Sequence, residues 1–147
     1  MPESIRAQVR PGDWAVSIDL SDAYFHIPIN QKFRRFLTFC HRGTLWQFRA
    51  LPFGLSTAPW IFTRVMEEVR KMAAVHGITM HMYIDDWLIR AQSPELVSSQ
   101  LEWVLDLCSR LGLRVNFLKS DLVPSQDFTF IGYRFVTQSH RNLLWNW

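Results

Sequence analysis

Three aspartates stand where strand-like runs end. Asp85 and Asp86 follow Met80-His81-Met82-Tyr83-Ile84, and Asp19 follows Trp14-Ala15-Val16-Ser17-Ile18. Adjacent carboxylates repel, so a fold that gathers them needs a compensating charge, most simply a divalent cation. Carboxylate oxygens suit Mg²⁺, and a Mg²⁺ site on strand ends is suited to phosphoryl chemistry. Taken alone, the doublet reads better as a turn between two short strands, because Asp is a common turn residue. The elements that carry the acids decide between the two.

Over residues 14–19, Trp14, Val16 and Ile18 alternate with Ala15, Ser17 and Asp19, the period of a strand. Asp19 then lies on the face opposite Val16 and Ile18, and faces an open cleft if that apolar face packs on helices. Residues 36–49 read as a hairpin, with His41-Arg42-Gly43 as its turn. Leu51-Pro52-Phe53-Gly54-Leu55 is a breaker-rich lead into a helix capped by Ser56 or Thr57, with Pro59 in its first turn. Ile61, Phe62, Val65, Met66, Val69, Met72 and Ala73 form its apolar stripe, read as core, and His76-Gly77 its stop.

The strand ending at Asp85-Asp86 comes next, with Trp87-Leu88-Ile89 as its return. Ser93-Pro94-Glu95 starts a second helix, whose stripe runs through Leu101, Val104, Leu105, Cys108 and Leu111 to a stop at Gly112. Short strands surround Phe128–Tyr133. This order favours a single α+β domain, with helices on one face of a largely antiparallel sheet.

The chain has 147 residues, 48% of them hydrophobic, which is ample for one core. No run reaches the roughly 18 apolar residues of a membrane span, and no secretory signal opens the chain, so no membrane partner is expected. The setting expected is intracellular, cytoplasmic or nuclear. Sixteen basic and thirteen acidic residues give a net charge of +3, which permits nucleic-acid contact without requiring it. Lys32, Arg34, Arg35, Arg42 and Arg49 cluster among aromatic residues and read either as such a contact or as a solvated edge. Cys40 and Cys108 have no metal-ligand spacing and read as two buried free thiols. The five His residues show no HExxH or similar ligand pattern.

Read together, these segments resemble the palm of a reverse transcriptase, in that family's block order. Ser17-Ile18-Asp19-Leu20-Ser21-Asp22-Ala23-Tyr24-Phe25-His26-Ile27-Pro28 is similar to the first catalytic block. Leu51-Pro52-Phe53-Gly54-Leu55-Ser56-Thr57-Ala58-Pro59 resembles the block that contacts template and nucleotide. Tyr83-Ile84-Asp85-Asp86 resembles the metal-binding turn, and Leu111–Asn116 with Lys119-Ser120 the block after it. Phe130-Ile131-Gly132-Tyr133 looks like the primer-grip hairpin. The Leu-Pro-Phe-Gly-Leu-Ser-Thr-Ala-Pro wording is similar to retrotransposon enzymes of the Gypsy and DIRS types. Trp87 and the run Lys119–Gln126 lean toward DIRS-like elements.

The resemblance implies an RNA-directed DNA polymerase domain that uses Mg²⁺, or Mn²⁺ in its place. Its partners would be an RNA or DNA template–primer and deoxynucleoside triphosphates. It makes Asp19, Asp85 and Asp86 the catalytic metal ligands and Lys119 the residue that meets the leaving pyrophosphate, with a surface lysine as the alternative. Leu20, Asp22, Tyr24, Phe53 and Gly54 would surround the nucleotide. Tyr24 would be the ring that rejects a ribose 2′-hydroxyl, or else an ordinary core aromatic; Asp22 could equally be a turn acid. Phe130, Ile131 and Gly132 would hold the primer, or Ile131 would pack in the core.

Only 18 residues precede Asp19. Residues 1–147 therefore read as a palm with partial fingers and without thumb or RNase H, expected to extend a primer poorly alone. Further polymerase and RNase H domains are expected in a longer parent. A non-catalytic remnant or nucleic-acid-binding module of such an element is the alternative. An RNase H-like two-metal nuclease is disfavoured, because its acids would not come with the Pro-Phe-Gly and Tyr-Ile-Asp-Asp blocks.

Overall fold

The computed structural model of the protein describes residues 2–138 and 144–146. Helix α1 (Pro2–Gln8) precedes strand β1 (Trp14–Asp19), and 3₁₀ turns over Ala23–His26 and Gln31–Leu37 lead to the hairpin β2 (Thr38–His41) and β3 (Thr44–Gln47). Helix α2 (Ala58–Val75) runs into the hairpin β4 (Thr79–Tyr83) and β5 (Asp86–Ala91), and α3 (Pro94–Leu111) into β6 (Asp121–Ser125). Strands β7 (Asp127–Phe130), β8 (Tyr133–Val136) and β9 (Leu144–Asn146) follow.

The central sheet has the order β4-β5-β1-β6, and every pairing in it is antiparallel. Its strands obey the period-2 rule. Val16, Ile18, Met80, Trp87 and Ile89 point to one face, where they pack against Phe62, Met66 and Val69 of α2 and Val97, Leu101 and Val104 of α3. Each such fully buried side chain contributes about 1.5–3 kcal/mol. Ala15 and Leu88 point the other way, into a second cluster with Ile5, Val9, Phe128, Phe130 and Phe135. The expected α+β architecture is therefore present, with α2 and α3 on one face. The N-terminal helix α1, which has no clear stripe in the sequence, covers the other face together with the β7–β8 hairpin.

Helix α3 is bounded as its sequence predicts. The Ser93 hydroxyl accepts the Leu96 N–H at 3.2 Å, and Gly112 closes the helix in the left-handed region at φ 75°. Helix α2 stops at His76-Gly77, but its N-cap, Thr57, makes no side-chain hydrogen bond. Pro59 near the start lacks an N–H, so one donor that a cap would have to satisfy is already gone. The first hairpin begins at Thr38, because Phe36 and Leu37 belong to the 3₁₀ turn. Cys108 is buried, which pushes its thiol up to about 11, whereas Cys40 is exposed on β2 and is not the buried thiol expected.

The end of the sheet remote from the acids is held by a buried polar network. Asp13 is fully buried and pairs with Arg90 at 3.1 Å. It also accepts hydrogen bonds from the Arg10 N–H at 2.8 Å and from the Gln92 amide. Arg90 Nε donates to His81 Nε2 at 2.9 Å, which requires a neutral imidazole. Burial, followed by the Arg90 charge, lowers the His81 pKa to about 4. The Thr137 hydroxyl donates to the Asp13 carbonyl, and the Gly12 N–H to the Thr137 carbonyl at 2.7 Å, tying the β7–β8 hairpin to this end.

Candidate active site

Strand register brings the acids together. In the β1–β5 ladder Asp19 lies directly opposite Asp86. Asp19 shares the face of Ala15, and Asp86 that of Leu88, so both carboxylates leave the sheet on the side away from α2 and α3. At this end the second apolar cluster no longer covers the sheet, and both residues are half-buried.

Asp85 sits in the two-residue turn of the β4–β5 hairpin, whose closing pair is Tyr83 and Asp86. Ile84 takes φ 53° at the first turn position, where a β-branched residue is strained and Gly is usual. Its side chain packs against the main core, and the Leu20 N–H donates to the Asp85 carbonyl at 2.8 Å. The turn is thus held from both sides. Asp85-Asp86 is both a turn and part of an acid cluster, so the two readings of the doublet were not exclusive.

The electrostatics follow from crowding. Burial, a hydrogen bond that protonated Asp86 donates to Asp19, and the charges of Asp85 and Asp19 push the Asp86 carboxyl up to about 6. The charge of Lys119, an exposed residue, works in the opposite direction and lowers it. Tyr24 stands on the other side: burial, then the Asp85 charge, raises its phenol above the ordinary value. Its ring belongs to the main core and packs on Phe53 at 4.6 Å and Phe62 at 5.7 Å between centroids. Tyr24 is therefore a buried core aromatic.

The other sequence candidates divide clearly. Phe53 is exposed and stacks edge-on with Phe25 at 5.4 Å, while Gly54 takes φ 87° with open space where a Cβ would be. Asp22 is exposed in the left-handed region, φ 51° and ψ 47°, ahead of the Ala23–His26 turn, and its carboxylate caps nothing. Leu20 differs from its expected place at the nucleotide: its side chain is buried in the core and its N–H is committed to Asp85. Phe130 is likewise core, stacked into the second cluster. Ile131 and Gly132, at φ 43° and 83°, form the tight turn between β7 and β8, where Ile131 packs against the second cluster and Gly132 is exposed.

Two residues carry more than the sequence suggested. The Ser120 hydroxyl accepts the Asp19 N–H at 2.9 Å, and the Asn116 N–H donates to the Asp19 carbonyl at 2.7 Å. Both belong to a quoted block, yet nothing in their spacing signals a bond to a strand 101 positions away.

Among the described residues, no three His, Cys, Asp or Glu side chains are placed to hold a metal ion together. The donors do fit a hard cation that keeps waters and substrate oxygens in its shell, as Mg²⁺ does. The observation in favour is the cross-strand pairing of Asp19 with Asp86; burial first, and then the neighbouring carboxylates, raise the Asp86 carboxyl there.

Comparison with known proteins agrees with this geometry. Residues 3–135 match the family described as reverse transcriptase (RNA-dependent DNA polymerase). The chain is 29% identical over 122 residues to Protein P of a duck hepatitis B virus, covering 81% of this chain and 15% of that protein. It is 28% identical over 117 residues to the retrovirus-related Pol polyprotein from transposon opus of Drosophila melanogaster, covering 80% of this chain and 11% of that one. The chain thus spans a small part of the curated relatives it matches. Among solved structures, it superposes on the foamy viral protease-reverse transcriptase in complex with RNA/DNA hybrid with a TM-score of 0.76 and 27% identity. That match covers 88% of this chain and 17% of the viral one. With the match running through nearly every element and the acids at the end of the central sheet, the chain belongs to the reverse transcriptase (RNA-dependent DNA polymerase) family.

Proposed function

We propose that this chain is the catalytic palm of an RNA-directed DNA polymerase from a retrotransposon-like element, of the Gypsy or DIRS type. The single observation that carries the reading is the cross-strand pair Asp19 and Asp86, with Asp85 in the adjoining turn. Like charges set side by side at a sheet end oppose folding, and they have a use where cations and phosphates gather. Mg²⁺, or Mn²⁺ in its place, held by Asp19, Asp85 and Asp86, would make the primer 3′-hydroxyl nucleophilic and stabilise the leaving pyrophosphate.

The chain's own residues supply the rest. The new bond joins the primer 3′ oxygen to the α-phosphorus of the deoxynucleoside triphosphate, and the bond to pyrophosphate breaks. Lys119, whose charge acts on Asp86, offsets the charge of that leaving group or gives it a proton. Tyr24, fixed by Phe53 and Phe62, presents a rigid ring to the sugar and disfavours a 2′-hydroxyl by clash. Phe53, Gly54 and Asp22 line the approach to the nucleotide, and the Ile131-Gly132 turn meets the primer backbone. An RNA or DNA template–primer as partner is supported by the foamy viral relatives, which were solved with RNA/DNA hybrid and with double-stranded DNA. Further polymerase and RNase H domains in a longer parent accord with the much greater length of the viral and transposon relatives.

Primer extension tests the reading. Positioning supplies much of the barrier reduction in phosphoryl transfer, so the 147 residues alone are expected to extend a primed RNA poorly. Joined to fingers upstream and a thumb downstream, they are expected to make DNA in a Mg²⁺-dependent way. A well-folded extended protein that stays inactive overturns the proposal in favour of a remnant.

A further inference from the structure

The Asp19 strand loses its ladder partner just where the acid sits. Strand β6 pairs Asp121 with Ser17, and Val115 bridges Leu20, so the intervening residues loop out of the sheet. In the gap, the Asp19 N–H points away from β5 and meets the Ser120 hydroxyl at 2.9 Å in place of a main-chain acceptor. The same hydroxyl donates to the Asn116 carbonyl at 2.7 Å, so its proton serves the loop and a lone pair serves Asp19.

Asn116 closes the loop from within. Its carbonyl accepts the Ser120 N–H at 2.9 Å, and its Oδ1 accepts the Lys119 N–H at 3.2 Å. Val115 and Leu122 pack against the main core at the ends of the loop, whereas Phe117 is 65% and Leu118 100% exposed at its tip. Between those ends, hydrogen bonds hold the backbone at Lys119.

We propose that Ser120, supported by Asn116, is a positioning residue that couples the lysine loop to the Asp19 strand and so sets where Lys119 stands relative to the Asp19–Asp86 pair. This rests on the polymerase reading, in which Lys119 meets the leaving pyrophosphate. It goes beyond that reading by making a serine hydroxyl the link between a metal-ligand strand and the cation.

Carbodiimide cross-linking of the 147-residue chain tests the link without requiring activity. The reagent joins a lysine amine to a nearby carboxylate as an amide and is itself hydrated to the urea. Peptide mass spectrometry should find Lys119 joined to Asp86 or Asp19. Ser120→Ala should lower that yield several-fold, and Ser120→Thr, which keeps the hydroxyl, should restore it. The Lys71–Glu68 pair on α2, 3.2 Å apart, is the internal control and should cross-link equally in all variants. If Ser120→Ala loses the control link through unfolding, Ser120→Cys, a weaker acceptor of similar size, should give an intermediate yield. No Lys119 cross-link in the parent chain, or an undiminished one in folded Ser120→Ala or Ser120→Cys, overturns the proposal. In the primer-extension assay, Ser120→Ala should lower kcat with little change in KM for the primer–template, and add nothing in a Lys119→Ala background. Additive losses would make Ser120 merely structural. Loss of Asp85 dependence in that assay would instead count against the polymerase reading and leave the cross-linking result standing.

Discussion

The two ends of the β4–β5–β1 sheet handle charge in opposite ways. At one end Asp13 is buried completely, yet Arg90, Gln92 and the Arg10 N–H meet its oxygens, and a neutral His81 meets Arg90. At the other end Asp19 and Asp85 both act on Asp86, and among the described residues only Lys119 acts against their charge there. Strand β5 carries Asp86 at its first residue and Arg90 near its last, on the same face. A single strand therefore spans a satisfied network and an unsatisfied one. A fold able to neutralise a fully buried aspartate has the means to avoid carboxylate crowding. The pairing of Asp19 with Asp86 at the uncovered end, with Asp85 in the adjoining turn, marks the end at which we propose that a cation binds.

The largest effect expected at the acid end is on activity and at the far end on folding. In a complete polymerase, Asp85→Asn should cut primer extension by roughly a thousandfold or more while leaving the melting temperature nearly unchanged. Retained synthesis would remove the contrast altogether. Asp13→Ala should leave Arg90 buried without its partner and cost about 3–5 kcal/mol in denaturant melts. A loss below about 1 kcal/mol would mean that the far-end network is solvated and the comparison misdrawn.

The response to pH sharpens the same contrast. Folded Asp86 holds its proton to about pH 6, against an ordinary value of 3.8. Its linkage supports folding below the ordinary value, and that support is lost as pH rises through 6. His81, at about 4 against 6.5, does the reverse: its support is complete above 6.5 and lost as pH falls through 4. In metal-free melts between pH 4 and 6, Asp86→Asn should make stability rise more steeply with pH than in the parent chain. His81→Gln should make it rise less. Identical slopes in both variants would show that neither end titrates as its surroundings dictate. Added Mg²⁺ should raise the melting temperature above pH 6 and have little effect well below it, because protons compete for Asp86.

The smallest effect is expected at the turn. Ile84→Gly relieves about 1–3 kcal/mol of backbone strain at φ 53°. It also forfeits a half-buried side chain, about 1–2 kcal/mol, and adds freedom to the unfolded chain, about 0.4–1 kcal/mol. The net change should stay within about 1 kcal/mol, with extension impaired because the side chain that anchors the turn is gone. A larger loss of stability would show that Ile84 is held more by the core than its exposure suggests.

Periodicity and punctuation alone determined much of this protein. The alternation over Trp14–Asp19 placed Asp19 on the face away from the helices, and Ser93-Pro94 with Gly112 bounded α3, because strand faces and helix caps depend on a few neighbouring residues. The block order marked the acids, and strand register then set Asp19 across from Asp86. Local patterns could not supply what depends on distant partners. Leu20 lost its place at the nucleotide to the core and to the Asp85 carbonyl, Phe130 packed inward, and Cys40 lay exposed on a hairpin with no layer above it. Helix α1 found its apolar partners only on the far face of the finished sheet. The bond from the Asp19 N–H to the Ser120 hydroxyl exists because a loop leaves the ladder there, and only the tertiary structure brings a strand end and a serine 101 residues later to 2.9 Å.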